Sequence, residues 1–115
     1  MVGASSDPAR PSYHIMRSLQ RAGYRVIPVN PRESEILGER AYPSLLDIPE
    51  PVDIVDVFRR PEDTPSIADE AATKGAKALW LQEGIANEDA AARAAAAGLT
   101  VVMDACISAT RHRLM

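Results

Sequence analysis

Met1-Val2-Gly3-Ala4-Ser5-Ser6-Asp7-Pro8-Ala9-Arg10-Pro11-Ser12 reads as the end of a strand, a turn of small residues and the start of a helix. In an α/β domain, such a turn lies at the carboxyl edge of a parallel sheet. Backbone N–H groups converge there, and the helix dipole adds partial positive charge, which suits a phosphate group. The full G-x-G-x-x-G pattern is absent, since only Gly3 is present. Two readings of the turn therefore stand, a phosphate cradle and a plain strand-to-helix connection.

Downstream, the chain alternates between strand and helix signals. From Ser12 to Ala22, the residues Ile15, Met16, Leu19 and Ala22 recur at helical spacing. Ser12 is placed to cap this helix, and Gly23 to end it. Tyr24 to Val29 is a β-rich run in which Pro28 favours an edge or near-end position. Residues 32–51 read as irregular, with one helical turn at 44–48. Val52 to Phe58 is the next strand, and its two aspartates suggest a face that is partly open or covered by polar loops. Thr64-Pro65 reads as a cap followed by proline at the first helical position. Ile67, Ala68, Ala71 and Ala72 form that helix's buried face, and Gly75 closes it. Ala78 to Leu81 is a short apolar strand, with Trp80 read as a core residue. Asn87 caps an alanine-rich helix ending at Gly98, and Leu99 to Met103 is the last strand. This alternation predicts βαβ crossovers and a parallel sheet in a single domain over residues 1–115.

Composition narrows the function classes. Of 115 residues, 46% are hydrophobic and 25% charged, and the net charge is −3. An acidic chain is a poor partner for nucleic acid, and its five aromatics are too few for a stacking surface. No run is long and apolar enough to span a membrane, and no secretory signal precedes the turn. The single cysteine, Cys106, excludes an internal disulfide. Together these features point to a cytoplasmic protein.

In a doubly wound sheet, ligands sit beyond the carboxyl ends of the strands. Four segments meet there: Gly3 to Arg10, Asn30-Pro31-Arg32, Phe58-Arg59-Arg60 and Gln82-Glu83-Gly84. No carboxylate stands at the end of the second strand, where NAD-binding domains usually place one for the ribose. Arg32 there suits a phosphorylated ribose, as in NADP or coenzyme A, or is an ordinary surface charge. Arg59 and Arg60 either face the site or pair locally with Glu62 and Asp63. Phe58 packs on a ligand or in the core. His14 and His112 are far apart, and two histidines with one cysteine at these spacings make no zinc site. Ser5 and Ser6 have no evident base partner. Cys106 is more simply a packing cysteine than a reactive thiol.

Taken together, Val2-Gly3-Ala4-Ser5, Pro8 to Ser12, Gly23 to Pro31, Pro51 to Arg59, Trp80-Leu81-Gln82 and Gly98 to Cys106 resemble the small stand-alone CoA-binding proteins. These are similar to the CoA-binding domain of the succinyl-CoA synthetase α subunit. The resemblance implies a Rossmann-like three-layer αβα fold with five parallel strands in the order 3-2-1-4-5. It implies coenzyme A or acyl-CoA as ligand, bound through the turn after the first strand. The implied contacts are Gly3, Ala4, Ser5, Ser6, Pro8, Arg10, Ser12, Tyr13, Asn30, Pro31, Arg32, Phe58, Arg59 and Gln82. No residue is assigned a catalytic or metal-binding role. The alternatives are a non-catalytic subunit of an acyl-CoA ligase or transferase and an NADP-type nucleotide-binding sensor. A partner acyl-CoA enzyme or a second copy packed through the alanine-rich helix fits either CoA reading.

Two departures from the family pattern bear on these expectations. Family members carry about twenty residues before the glycine turn, whereas here only Met1-Val2 precede it. The first strand is therefore expected to be largely missing, through truncation or a misassigned start. Its neighbours would then lack hydrogen-bond partners, at on the order of 1–3 kcal/mol per buried group. Glu83 is the second departure, an acid where a neutral residue is expected and one that would repel a nearby phosphate.

Overall fold

A computed structural model describes residues 1–107, so Arg111, His112 and Arg113 in the tail lie outside the described residues. The element order is α1 (Pro11–Arg21), β1 (Glu35–Ile36), β2 (Glu39–Arg40), β3 (Ile54–Val57), α2 (Thr64–Lys74), β4 (Ala78–Leu81), α3 (Glu88–Ala96) and β5 (Thr100–Val102). Strands β3, β4 and β5 form a parallel ladder in that order, with Asp56 opposite Trp80 and Leu79 opposite Val101.

The sheet continues beyond β3 through single parallel bridges. Val2 bridges Val57 on one side and Val29 on the other, and Val29 bridges Tyr42. The order across the sheet is thus Tyr42, the 26–29 segment, Met1-Val2, β3, β4 and β5. With Tyr42 in third place this is the 3-2-1-4-5 arrangement, and β5 is sixth. The 52–58 stretch, expected as the third strand, is fourth and lies directly beside Met1-Val2. The reason is a hairpin within the stretch read as irregular. There β1 and β2 pair antiparallel around Leu37 and Gly38, both at positive φ. Two left-handed residues suit a two-residue turn between antiparallel strands. This hairpin carries the chain to Tyr42 on the outer flank before it crosses to β3.

The short first strand is paired on both sides. The Val29 N–H donates to Met1 O (2.9 Å), and the Gly3 N–H donates to Val29 O (3.1 Å). On the other side, the Val2 N–H donates to Asp56 O and the Phe58 N–H to Val2 O, both at 2.8 Å. Its flanking strands therefore find partners at these positions. Pro28 is accommodated because the Tyr42 bridge uses Pro28 O and the Asn30 N–H, and asks nothing of the proline nitrogen.

Two apolar clusters lie on the two faces of the sheet. Val2, Val29, Val55, Val57, Leu79 and Leu81 pack with Ile67, Ala68 and Ala71 of α2 and Ala90 and Ala94 of α3. On the other face, Met1, Ala4 and Val26 pack with Met16 and Leu19 of α1 and with Ile36. The result is three layers. Alanine at the α2 and α3 contact positions lets both short helices lie close to the sheet. The β3 face is partly open, as expected, at Ile54, which is exposed. Asp53 is also exposed and paired with Lys77 (3.7 Å), whereas Asp56 is buried.

The helix ends match only in part. Asn87 accepts the Ala90 N–H at 2.9 Å and caps α3 as expected. Ser12 is not the cap of α1, which begins at Pro11 after Arg10, and it is buried inside the first turn. Nor does Thr64 cap α2. A 3-10 turn over Pro61–Asp63 precedes that helix, and the Thr64 hydroxyl donates to Pro61 O. In the first case the chain enters helical conformation one residue before the residue read as the cap, and in the second three residues before it.

These contacts set two stability expectations. Asn87→Ala should lower unfolding free energy by about 1 kcal/mol, and truncation of the fully buried Leu79 to Ala by about 2–5 kcal/mol. Urea titrations of both variants check this, with the m-value unchanged if the native fold is kept.

Candidate functional site

The turn after Met1-Val2 is built around Gly3. Its φ is +88°, a left-handed conformation that side chains avoid. A Cβ there would fall 2.2 Å from the Phe58 carbonyl oxygen. Gly3 therefore allows the chain to turn directly against the end of β3. Beyond it, the Ser5 hydroxyl accepts the Asp7 N–H (3.0 Å), and the Asp7 carboxylate accepts the Ala9 N–H (2.9 Å). These local bonds shape the loop that leads into α1. No acceptor is recorded among the described residues for the backbone N–H of Ala4 or of Ser5. Helix α1 starts with Pro11 and has neither a side-chain cap nor an acidic residue in its first turn. Within the helix itself, no side chain offsets its positive end.

Asn30 joins the first two segments. Its amide donates to Ala4 O (2.8 Å), and its carbonyl accepts the Arg32 N–H (2.7 Å). The corner after the 26–29 segment is thereby locked against the glycine turn. Pro31 and Arg32 are exposed beside it. Pro8 and Arg10 are exposed on the loop, and Tyr13 is half-buried with its ring edge-on to His14. His14 itself is exposed and held by Pro8 O (2.6 Å). Phe58 is half-buried and packs against the α1-side cluster. Arg59 runs its aliphatic stem past Gly3 and pairs with Asp63 (3.3 Å). Arg60 pairs with Glu62 (3.4 Å) and Asp63 (3.5 Å). Both arginines thus make the local pairs that were one of their two readings.

Gln82 follows β4 at the same edge, but its amide turns inward and donates to Asp56 Oδ1. Both residues are buried, and Asp56 Oδ2 and Gln82 Oε1 find no partner among the described residues. Burial pushes the Asp56 carboxyl up from 3.8 to about 6, against opposing pulls from the Gln82 hydrogen bond and the Met1 amine. Asp56 and Trp80 also line a cavity of about 490 Å³, together with Met1, Val26, Ile27 and Ile54. This cavity extends from the starting ends of the strands, so it is separate from the glycine turn. Glu83 is exposed. Cys106 is half-buried, and the described residues contain no cluster able to hold a metal. Nor is any described helix long and apolar enough to cross a membrane.

One residue at the site was not picked out from the sequence. Glu33 reaches back to the turn, where its carboxylate accepts the Ser6 N–H (3.1 Å), the Ser6 hydroxyl and the Asn30 amide (3.2 Å). The signal was present in Asn30-Pro31-Arg32-Glu33, an acid four residues past the strand's last residue, Val29. A tight proline corner brings such a residue back to the edge, so a test of the strand's final residue alone passes it over.

Comparison with known proteins places this geometry. A family model described as a CoA binding domain matches residues 1–111. The uncharacterized protein YneT of Bacillus subtilis is 45% identical over 93% of this chain and 79% of its own length. The ADP-forming acetate–CoA ligase II of Archaeoglobus fulgidus is 34% identical over 76% of this chain, which spans only 14% of that enzyme. Among solved structures, a hypothetical protein from Pyrococcus horikoshii superposes with a TM-score of 0.96 at 42% identity, over 98% of this chain and 80% of that one. An acetyl-coenzyme A synthetase of Ca. Korarchaeum cryptofilum, in complex with phosphate and ADP, gives 0.81 at 26% identity, over 90% of this chain and 25% of that one.

Two measurements probe the site's framework. Gly3→Ala should destabilise the protein by on the order of 1–3 kcal/mol from backbone strain alone, and by more once the Phe58 carbonyl has to move. Thermal melts of this variant read the loss directly. For Asp56, the folded state holds the proton more tightly than the unfolded chain does. The stability that Asp56 contributes is therefore full below about pH 4 and falls away as pH rises through 6. The buried Met1 amine, lowered from 8.0 to about 6, acts in the opposite sense between pH 6 and 8. Asp56's part is thus read as the difference between wild type and a variant at each pH. Asp56→Asn should remove that fall and stabilise the protein at pH 7.5 by on the order of 1–3 kcal/mol. Paired urea titrations at pH 4 and pH 7.5 check the sign.

Proposed function

The chain belongs to the CoA binding domain family, and we propose that it binds coenzyme A or an acyl-CoA through the turn at Gly3, without catalytic residues of its own. The observation that carries this reading is the start of α1. A glycine turn leads into a helix N-terminus with no side-chain cap and no acid in its first turn, an arrangement that suits an anion. In this reading the whole chain, residues 1–115, is one CoA-binding domain of a cytoplasmic protein. The diphosphate lies against Gly3, Ala4, Ser5 and Ser6, with Pro8 and Ser12 shaping the loop and Arg10 supplying charge. Tyr13 borders the same edge, and Asn30, Pro31 and Arg32 meet the nucleotide end. Phe58 and Arg59 flank the pantetheine arm, with Gln82 at the end of β4. A second copy of the chain or an acyl-CoA enzyme is the expected protein partner.

Two other readings each have a supporting observation. The 34% identity to a domain of an acetate–CoA ligase favours a non-catalytic subunit of an acyl-CoA ligase or transferase. The exposed Arg32 beside the Asn30 corner favours an NADP-type nucleotide-binding sensor, although the Glu33 carboxylate at the same corner suits free ribose hydroxyls and so counts for NAD over NADP.

Thermal melts with CoA, acetyl-CoA, NAD, NADP and ATP separate these readings. CoA at one hundred times its Kd should stabilise the protein by about 2.7 kcal/mol. A shift with NAD or NADP and none with CoA would overturn the proposal. Arg10→Ala and Arg32→Ala should each weaken CoA binding by roughly three- to tenfold, and by more at low ionic strength than at high.

A further inference from the structure

Ser6 sits in the turn that the CoA reading gives to the diphosphate, and its two donors are already engaged. Its N–H and its hydroxyl both point to the Glu33 carboxylate, with the Asn30 amide as that carboxylate's third donor. A phosphate offers the same chemistry, oxygens that carry negative charge and accept from a backbone N–H, a hydroxyl and an amide. Glu33 is held from the Pro31–Ser34 bend, on the neighbouring segment and not within the turn itself. It is half-buried, and no cation is recorded pairing with it among the described residues. Its carboxylate therefore brings negative charge to the turn that leads into α1.

We propose that Glu33 is a built-in competitor for the ligand's phosphate, a carboxylate that occupies the Ser6 and Asn30 donors and swings out when a phosphate takes its place. This rests on the CoA reading of the same turn. The empty site then keeps its donors satisfied, and affinity is held down by the loss of the carboxylate's contacts on binding. Selectivity follows as well. A ligand must bring at least two acceptor oxygens and enough negative charge to displace a carboxylate, which a diphosphate does and a neutral nucleoside does not.

The test is isothermal titration of CoA and of inorganic pyrophosphate into the wild-type chain, Glu33→Gln, Glu33→Ala and the remote control Glu50→Gln. Glu50→Gln makes the same change in net charge at an exposed ion pair with Arg25. Both ligands should bind Glu33→Ala about three- to tenfold more tightly than wild type, and Glu33→Gln by a smaller factor, with Glu50→Gln unchanged. Melts without ligand establish that each variant is folded. If wild type binds CoA and the Glu33 variants bind it equally or more weakly, the competitor is refuted and the CoA reading stands. Weaker binding would make Glu33 a ribose contact instead. If no variant binds either ligand, both readings fall. Binding of pyrophosphate only once Glu33 is removed would be the strongest support for the competitor.

Discussion

Four backbone hydrogen bonds at Met1, Val2 and Gly3 hold the two sides of this sheet together. Two run to Val29 on one flank, and one each to Asp56 and Phe58 on the other. Each contributes a net 0.5–1.5 kcal/mol or so, and each left unmade in the interior would cost more. Their positional effect is as important as their energy. They fix the 26–29 segment, β3 and the glycine turn in one register, so the three loops of the site leave the sheet at the same height. The turn's close approach to the Phe58 carbonyl depends on that register. It is why glycine is required at position 3 and not merely favoured there.

The fold was legible because its signals are local and repeated. β-branched runs bounded by proline, apolar positions at helical spacing and a glycine after each helix gave strand, helix and order without tertiary information. What escaped was set by contacts distant in sequence. The β1–β2 hairpin is four strand residues around a left-handed turn, too short for periodicity to register, and Tyr42 joins the sheet through one bridge. The caps of α1 and α2 were displaced because the chain turns helical at Pro11 and Pro61, ahead of Ser12 and Thr64. At the site, the small residues of the turn and the Asn30 corner were readable as types in positions. Glu33 was not, because its role comes from the path of the loop and not from its distance to a motif.

The buried Asp56–Gln82 pair illustrates a different limit. Sequence marks Asp56 as a polar residue in a strand and Gln82 as a residue at a strand end. Only the paired register of β3 and β4 brings them together. Two acceptor oxygens there go unmatched among the described residues, and binding a proton converts one of them into a donor. That is the physical sense of a carboxyl whose affinity for a proton is raised by burial. Gln82 is thereby committed to the sheet interior, and its backbone is engaged as well, its N–H donating to Val57 O and its carbonyl accepting the Ile85 N–H.

The electrostatics of the glycine turn combine these constraints. A helix N-terminus attracts an anion whether the anion comes from solution or from the chain, and it acts most strongly on the nearest. The register of the sheet brings the Asn30 corner against Ala4, and the corner in turn carries Glu33 to Ser6. A carboxylate so placed is a consequence of the same hydrogen bonds that assemble the cradle. Arg10 and Arg32 stand at the rim in solvent, where their pull on an incoming anion falls with added salt. The site thus opposes a short-range internal acid to long-range external bases. Under the proposed competition, an anion would win there by carrying more charge and more acceptor oxygens than a single carboxylate, as a diphosphate does.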